Sequence, residues 1–449
     1  MNLYLKSKLT SNDKRTALIK KNIAAGAIIR GISIIISLLL VPLTINYITP
    51  ELYGIWLTIS SIISWIGFFD IGFGNGLRNK LAESLALGKF KQGKIYVSTT
   101  YFIISSTFIS LAIILYIIAG LLNWSSILNI GQEFNQILIN VSRIVIVAFS
   151  IQIILKLVQN VIQAFQLNAL ASAMDAIGNL VALISIFILT KTISPNLSWI
   201  ALAFSLSPLL VLIIFSFIFY SKKYSIVSPN YRYIKMSYAK DLFKVGGKFF
   251  IIQIAVVVIY QTINIIITRT CGPESVTIYN IAYKYLSIIL MVFSIIMAPM
   301  WSAFTDAYAK KDYIWMNNIY KKLLNLYWLF VIGLVAIVLI SPIVYKLWIG
   351  EQVSISMTIS ILVAIYIAEM LWGTLHTSII NGVGKLKIQL YSASITTIIN
   401  IPLAVFMGYK WGLEGIVLSM IIINSLGPFL QKIQVNRILN NTASGIWNK

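Results

Sequence analysis

Apolar residues recur along this chain in runs of about twenty, broken by short polar stretches, and that rhythm predicts its secondary structure. A helix needs roughly 20 apolar residues to cross bilayer hydrocarbon. Twelve candidate runs lie near 23–45, 52–73, 95–121, 138–158, 171–190, 198–220, 248–268, 277–300, 323–345, 355–378, 388–408 and 413–431. The pattern predicts an all-α polytopic membrane protein with about twelve transmembrane helices. Between the fourth and fifth runs, Lys156 and Asp175 flank a polar turn. The polar, basic first 22 residues precede an apolar run too long for a signal-peptide core, so that run is expected to stay as a first span.

Composition agrees with this reading. Of 449 residues 59% are hydrophobic and 11% charged, whereas soluble domains run near half apolar and a quarter charged. The net charge of +22 would suggest nucleic acid in a soluble protein. Here the basic residues lie between apolar runs, which makes them topology signals and contacts for anionic membrane lipid, with no nucleic-acid partner expected. One side of the predicted topology collects 27 cations, including Lys14, Arg15, Lys20 and Lys21, and the opposite loops hold Lys191, Arg269, Lys346 and Lys410. Cytoplasmic loops carry the excess of Lys and Arg, so both termini are expected in the cytoplasm. A single Cys271 and a single His376 exclude a disulfide framework, a CxxC site and a His-rich metal centre.

The organisation expected is a cytoplasmic arm at 1–22, a six-span lobe at 23–220, a basic linker at 221–247, a second six-span lobe at 248–433 and a cytoplasmic tail at 434–449. Basic and aromatic, the linker stretch 222–247 reads as an amphipathic surface helix. Three pairs of segments argue that the lobes are repeats. ITPELYGIW at 48–56 echoes CGPESVTIY at 271–279, with Pro50-Glu51 over Pro273-Glu274. LNIGQE at 128–133 echoes LWIGEQ at 347–352, and QAFQL at 163–167 falls where NGVGKL at 381–386 does in the second half. Six spans is an even number, so the halves insert the same way, a transporter pattern with the site expected between them.

Ionisable groups inside spans are costly and need a partner or an aqueous cavity. Arg30 lies about two turns into the first span on a face with Gly26, Ser33, Ser37 and Thr44, and Lys284 sits in the eighth on a face with Asn280, Ser287 and Ser294. Gln253, Tyr260 and Asn264 share one face of the seventh span; Gln152, Lys156, Gln159 and Gln163 share one face of the fourth. Arg30, Lys284, Asn280, Gln253, Asn264 and Lys156 are therefore the candidate substrate-binding residues, although Lys156 could equally snorkel to the interface. Arg143, opposite the glutamine face, reads as structural. Tyr366, Glu369, Gly373 and His376 align in the tenth span, where Glu369 and His376 are candidates for ion coupling and Glu369 could instead be a counter-charge to a cavity cation.

The stretch SWIGFFDIGFGNGLRNK at 64–80 resembles a nucleotide-binding loop only in its glycines, because such loops follow a strand and open a βαβ unit. Gly72, Gly74 and Gly76 are expected to break the helix as it leaves the membrane, and 77–88 to form a short amphipathic helix ending at Gly88. Asp70 at a helix C-terminus is disfavoured by the dipole, so it is expected to pair with Arg78 or Arg30 as a gate anchor.

Residues 15–105, above all RGISIIISLLLVPLTINYITPELYGIWLTISSIISWIGFFDIGFGNGLRNKLAESLALGK and YVSTTY, resemble the O-antigen flippases of polysaccharide biosynthesis, the Wzx type. These belong to the multidrug/oligosaccharidyl-lipid/polysaccharide exporter superfamily, whose fold resembles that of the MATE transporters. The resemblance implies two six-helix bundles in a V around a cationic cavity. It implies a flippase, not an enzyme, that moves an undecaprenyl-diphosphate-linked O-antigen repeat unit to the periplasmic leaflet of a bacterial inner membrane by alternating access. It also implies diphosphate and sugar contacts at Arg30 and Lys284, and an O-antigen polymerase and chain-length regulator as partners. No cofactor is expected beyond a coupling proton or sodium. The rival expectations are a cation-coupled multidrug exporter of the same fold, and a membrane-embedded O-antigen polymerase or ligase. The last is disfavoured by short outward loops whose acids are Glu51, Glu133, Glu274, Glu351 and Glu414.

Overall fold

The structure, a computed structural model, describes residues 11–64, 73–165, 167–221, 224–240 and 262–448. Among them there is no strand, and nine helices are long and apolar enough to span a bilayer. Only internally hydrogen-bonded backbone is tolerated in hydrocarbon, which is why such runs fold as helices. Side-chain hydroxyls within them turn back onto the preceding turn: Thr44 Oγ1 donates to the Leu40 carbonyl at 2.6 Å and Thr58 Oγ1 to that of Gly54 at 2.9 Å. Large exposed aliphatic and aromatic side chains such as Ile214, Phe217, Leu339 and Ile343 cover the long helices, a surface suited to acyl chains rather than water.

The chain divides into two compact units. The first comprises 1–47, 63–124 and 133–254, and the second 48–62, 125–132 and 255–449. The segments 48–62 and 125–132 thus cluster with the second half of the chain, where lobe boundaries drawn at 220 and 248 would have left them in the first.

In the first unit, α1 (Ser11–Tyr47) packs on α7 (Asn168–Thr192), and α6 (Asn135–Ala164) lies against both α4 (Phe90–Leu121) and α8 (Leu197–Ser221). The short α3 (Phe73–Ala86) packs on α4 and α6. Gly74 and Gly76 lie inside α3 instead of ending a helix, contrary to expectation, and both are buried there. Gly72 and Asp70 lie outside the described residues. The expected surface helix in the linker is also corrected. Its described part, 224–240, forms three 3₁₀ turns at Ser225–Val227, Tyr231–Tyr233 and Met236–Tyr238. Pro229 interrupts any continuous helix, and the chain is instead sewn to α4: the Asn230 N–H donates to Ser98 Oγ at 3.0 Å and the Lys235 N–H to Thr99 Oγ1 at 3.0 Å.

The second unit holds most of α2 (Pro50–Ser64), then α9 (Ile263–Cys271), α10 (Pro273–Ala309), α11 (Tyr313–Ile349), α12 (Met357–Val383) and α13 (Lys387–Leu439). The paired Pro-Glu motifs open α2 and α10 alike, since proline is preorganised for the first helical position and a carboxylate suits the positive helix end. Ser356 and Asp312 cap α12 and α11 through their side-chain oxygens. The helix α13 contains the two expected runs in one element broken at Trp411-Gly412, where Gly412 has φ 62° and ψ −144°, a conformation open to glycine and strained for other residues.

Candidate functional site

The exposed faces of α1 separate its charge from its grease. Ile28, Ile32, Ile35 and Leu39 form one exposed apolar stripe. At 3.6 residues per turn Arg30 sits about 180° round the helix from that stripe, near Gly26, Ser33 and Ser37. It is nonetheless exposed, and Ser33 and Ser37 are half-buried. A Cβ added to Gly26 would meet nothing within 4 Å, so the flank carrying Arg30 borders open space. Among the described residues no carboxylate pairs with Arg30.

The other predicted cation of this unit behaves likewise. On α6 the exposed apolar residues are Val147 and Ile151, and Lys156 is exposed about 180° away from them. Gln152 and Gln163 beside it are half-buried, whereas Gln159 is buried and donates through Nε2 to Asp175 Oδ1 at 2.9 Å and to the Ala171 carbonyl at 3.3 Å. Gln159 thereby ties α6 to α7 and holds the Asp175 carboxylate.

In the second unit the polar residues of α2, α9 and α10 form a ladder. Thr58 Oγ1 and Thr268 Oγ1 lie 2.6 Å apart, Asn264 Nδ2 donates to Ser61 Oγ at 2.7 Å, and Asn280 Nδ2 donates to Asn264 Oδ1 at 3.0 Å. The structure so brings predicted Asn264 and Asn280 together, but Asn264 is 8% exposed and committed to its neighbours. Its role is to orient Asn280. Lys284 follows one turn along α10 from Asn280, half-buried, with no carboxylate paired to it among the described residues. Gln253 lies outside the described residues, and so does any pairing of Asp70 with the half-buried Arg78 or with Arg30.

Glu369 and His376, aligned by sequence spacing, go to different places. Glu369 lines a cavity of about 400 Å³ between α12 and α13 with Thr374, Asn381, Gln389 and Asn424. Glu369 Oε2 and Gln389 Oε1 are buried there without a hydrogen-bond partner among the described residues. Buried acceptors without donors call for a proton, a cation or a polar ligand. Sequence reasoning missed Gln389; its signal was the spacing of Gln389, Ser392 and Thr396 along one face of α13. His376 is fully buried outside that cavity. Its Nδ1 lies 2.8 Å from the Trp372 carbonyl, which can only accept, so Nδ1 carries the proton and Nε2 accepts from the Tyr320 hydroxyl at 3.0 Å. Both nitrogens are occupied within an aromatic core that includes Tyr327 and Leu375. Tyr320→Phe is therefore expected to strand Nε2 and lower stability by about 1–3 kcal/mol. Thermal unfolding in detergent should show the loss, while export per folded molecule stays unchanged; a variant as stable as the parent would remove this contact from the core.

A family model described as "Polysaccharide biosynthesis protein" matches residues 19–304. A Salmonella typhimurium protein named as an O-antigen transporter is 20% identical over 418 residues, covering 92% of each chain. A Yersinia pseudotuberculosis protein named as an O-antigen export protein is 22% identical over 406 residues, covering 87% of this chain and 90% of that one. Among solved structures, the inward-facing conformation of a multidrug resistance MATE family transporter of the MOP superfamily superposes with a TM-score of 0.73 at 16% identity, over 92% of this chain and 100% of that one. A MOP superfamily transporter from Pyrococcus furiosus, whose binding pocket is described as having reverse polarity, gives 0.63 at 14% identity over 94% and 96%. These structures show a shared all-helical MATE-type fold.

Proposed function

This chain belongs to the polysaccharide biosynthesis protein family, and on that premise we propose that it carries a lipid-linked oligosaccharide across the bacterial inner membrane. It is a multi-pass membrane transporter rather than an enzyme. The cargo we assign is an undecaprenyl-diphosphate-linked repeat unit, received at the cytoplasmic leaflet and released at the periplasmic one. One observation carries the reading: Arg30 stands on the side of α1 away from its apolar stripe, exposed on a flank that Gly26 leaves open, with no carboxylate paired to it among the described residues. A guanidinium there suits a diphosphate, which it can grip with paired N–H donors. Lys284 and Lys156 supply point charges, and Asn280 supplies an amide for sugar hydroxyls. Arg30 and Lys156 serve the headgroup from the first unit and Lys284 and Asn280 from the second, with access alternating between the leaflets, while the polyprenyl tail stays in lipid.

Reconstitution tests this directly. Purified protein in liposomes loaded with the undecaprenyl-diphosphate oligosaccharide should make inner-leaflet sugar accessible to an external, membrane-impermeant oxidant. Accessibility no greater than in protein-free liposomes would overturn the proposal.

The unpaired oxygens of Glu369 and Gln389 support a coupling role for Glu369, with a proton or sodium as the ion. Glu369→Gln is expected to leave transport that no longer responds to an imposed ion gradient; an unchanged gradient response would take Glu369 out of coupling. The same carboxylate favours the second reading, a cation-coupled exporter of cationic drugs. Saturable binding of a cationic dye, with none of the lipid-linked sugar, would decide for it.

A further inference from the structure

Arg143 is a membrane cation that the proposed transport does not use. It lies on α6 within the same stripe as Val147 and Ile151, on the face opposite Lys156. Arginine within a span ordinarily faces a bundle interior or an aqueous cavity, yet this one stands at the head of an apolar surface. Its seat is built. The guanidinium carbon lies 4.7 Å from the centroid of the Tyr116 ring, and Nε donates to the Tyr116 carbonyl at 3.4 Å. The group also rests on Gly120, where a Cβ would collide with Nη2. Among the described residues no carboxylate neutralises it.

Two grooves run from this seat. One, of about 530 Å³, lies between α6 and α8 and holds Arg143, Asn140 and Ser198 at one end and Leu206 and Leu209 further along. The other, of about 320 Å³, lies between α4 and α6 and is lined by Ile109, Ile113, Ile117 and Ile154. They meet at Tyr116, Val147 and Ile151. The eleven helical steps from Arg143 to Ile154 rise about 16 Å, close to half of the roughly 30 Å hydrocarbon thickness. One cation at the rim, two apolar furrows on either flank of one helix and a depth of one leaflet together describe the shape of a two-tailed phosphate lipid. The cation asymmetry of the loops places the α4–α6 connection outside.

We propose that this surface binds one anionic phospholipid of the outer leaflet, its phosphate on Arg143 and one acyl chain on each side of α6. The proposal rests on that orientation and not on the identity of the transported cargo. Tyr116 and Gly120 hold the guanidinium in place before the lipid arrives, and Asn140 and Ser198 stand beside it for headgroup hydroxyls.

The test is native mass spectrometry of the delipidated full-length protein titrated with palmitoyl-oleoyl phosphatidylglycerol, with palmitoyl-oleoyl phosphatidylcholine as comparison. The parent should retain one phosphatidylglycerol in preference to phosphatidylcholine. Arg143→Gln should weaken that retention at least about fivefold and leave phosphatidylcholine unchanged. Gly120→Val, which keeps the charge but fills its seat, should weaken it too. Both variants must melt with the parent when lipid is absent, so that a folding defect is read separately. Equal retention by parent and Arg143→Gln would overturn the proposal. Displacement of phosphatidylglycerol by undecaprenyl diphosphate would also overturn it, by assigning the grooves to the single-tailed carrier. Binding is read without transport, so a failed flipping assay leaves this result standing.

Discussion

Arg30→Ala is expected to cut surface polysaccharide in a complementation assay at least about thirtyfold while the protein accumulates in the membrane at the parental level. The first half of that expectation follows from chemistry. Removing one partner of a desolvated, hydrogen-bonded charge pair costs about 2–5 kcal/mol, and thirtyfold corresponds to about 2 kcal/mol. The second half follows from position: Arg30 is exposed and has no paired carboxylate among the described residues, so its loss orphans no buried charge there. Two further variants sharpen the result. Arg30→Lys keeps the charge but loses the forked donors, and should restore part of the activity. Gly26→Phe keeps the arginine but fills the open flank one turn away, and should impair export without affecting abundance. Full complementation by Arg30→Ala would remove Arg30 from the transport path. Equal loss of export and of protein would make the residue structural.

Gly54→Val should have the largest effect on folding. A Cβ at position 54 would fall on the backbone carbonyl of Pro273, the first residue of α10, which has nowhere to retreat because Thr277 beside it donates to the Pro50 carbonyl. Overpacking costs about 1–3 kcal/mol where side chains can yield, and more is expected where the obstacle is backbone. The consequence spreads along the helix pair. If α2 is pushed off at Gly54, the contacts of Thr58 with Thr268 and of Ser61 with Asn264 lengthen together. Asn264, which orients Asn280, then loses its own tie to α2. Helices in lipid gain no hydrophobic attraction for one another and depend on close packing and such hydrogen bonds. The expected outcome is a strong fall in folded protein recovered in detergent and a lower melting temperature. A Gly54→Val protein that accumulates and melts like the parent would mean that α2 and α10 do not make this contact.

The two positions differ in how visible they were beforehand. Arg30 stood out because an arginine deep in an apolar run is costly wherever it points. Gly54 did not, because a glycine in a helix has many reasons to be there and its neighbour Pro273 is 219 residues away in sequence. The echo of Pro50-Glu51 in Pro273-Glu274 was legible, and both motifs do open helices. That the two openings belong to one compact unit was not. The linker misled because its aromatic and basic residues have amphipathic composition, while Pro229 and the hydroxyls of Ser98 and Thr99 set its path.

Among candidate site residues the same division holds. The helical spacing of Glu369 and His376 suggested one shared role. Tyr320 and Trp372 occupy both nitrogens of His376, whereas Glu369 Oε2 and Gln389 Oε1 remain unpaired among the described residues in a cavity with which His376 has no part. Helical spacing already put Arg143 and Lys156 on opposite faces of α6. Only the structure shows the seat that Tyr116 and Gly120 give Arg143 on the apolar face.

The amino-acid sequence by itself determined the helical, membrane-spanning class, the separation of the runs 388–408 and 413–431, the doubled motifs and the short roster of intramembrane charges. Each depends on sums over neighbouring residues: the length of an apolar run, the spacing of a motif, the desolvation cost of one ion. Tertiary structure alone decided which of those charges lies open, that the single histidine is sealed and which glycine is a point of contact. Those outcomes turn on groups brought within a few ångströms from distant parts of the chain, and no local pattern records that meeting.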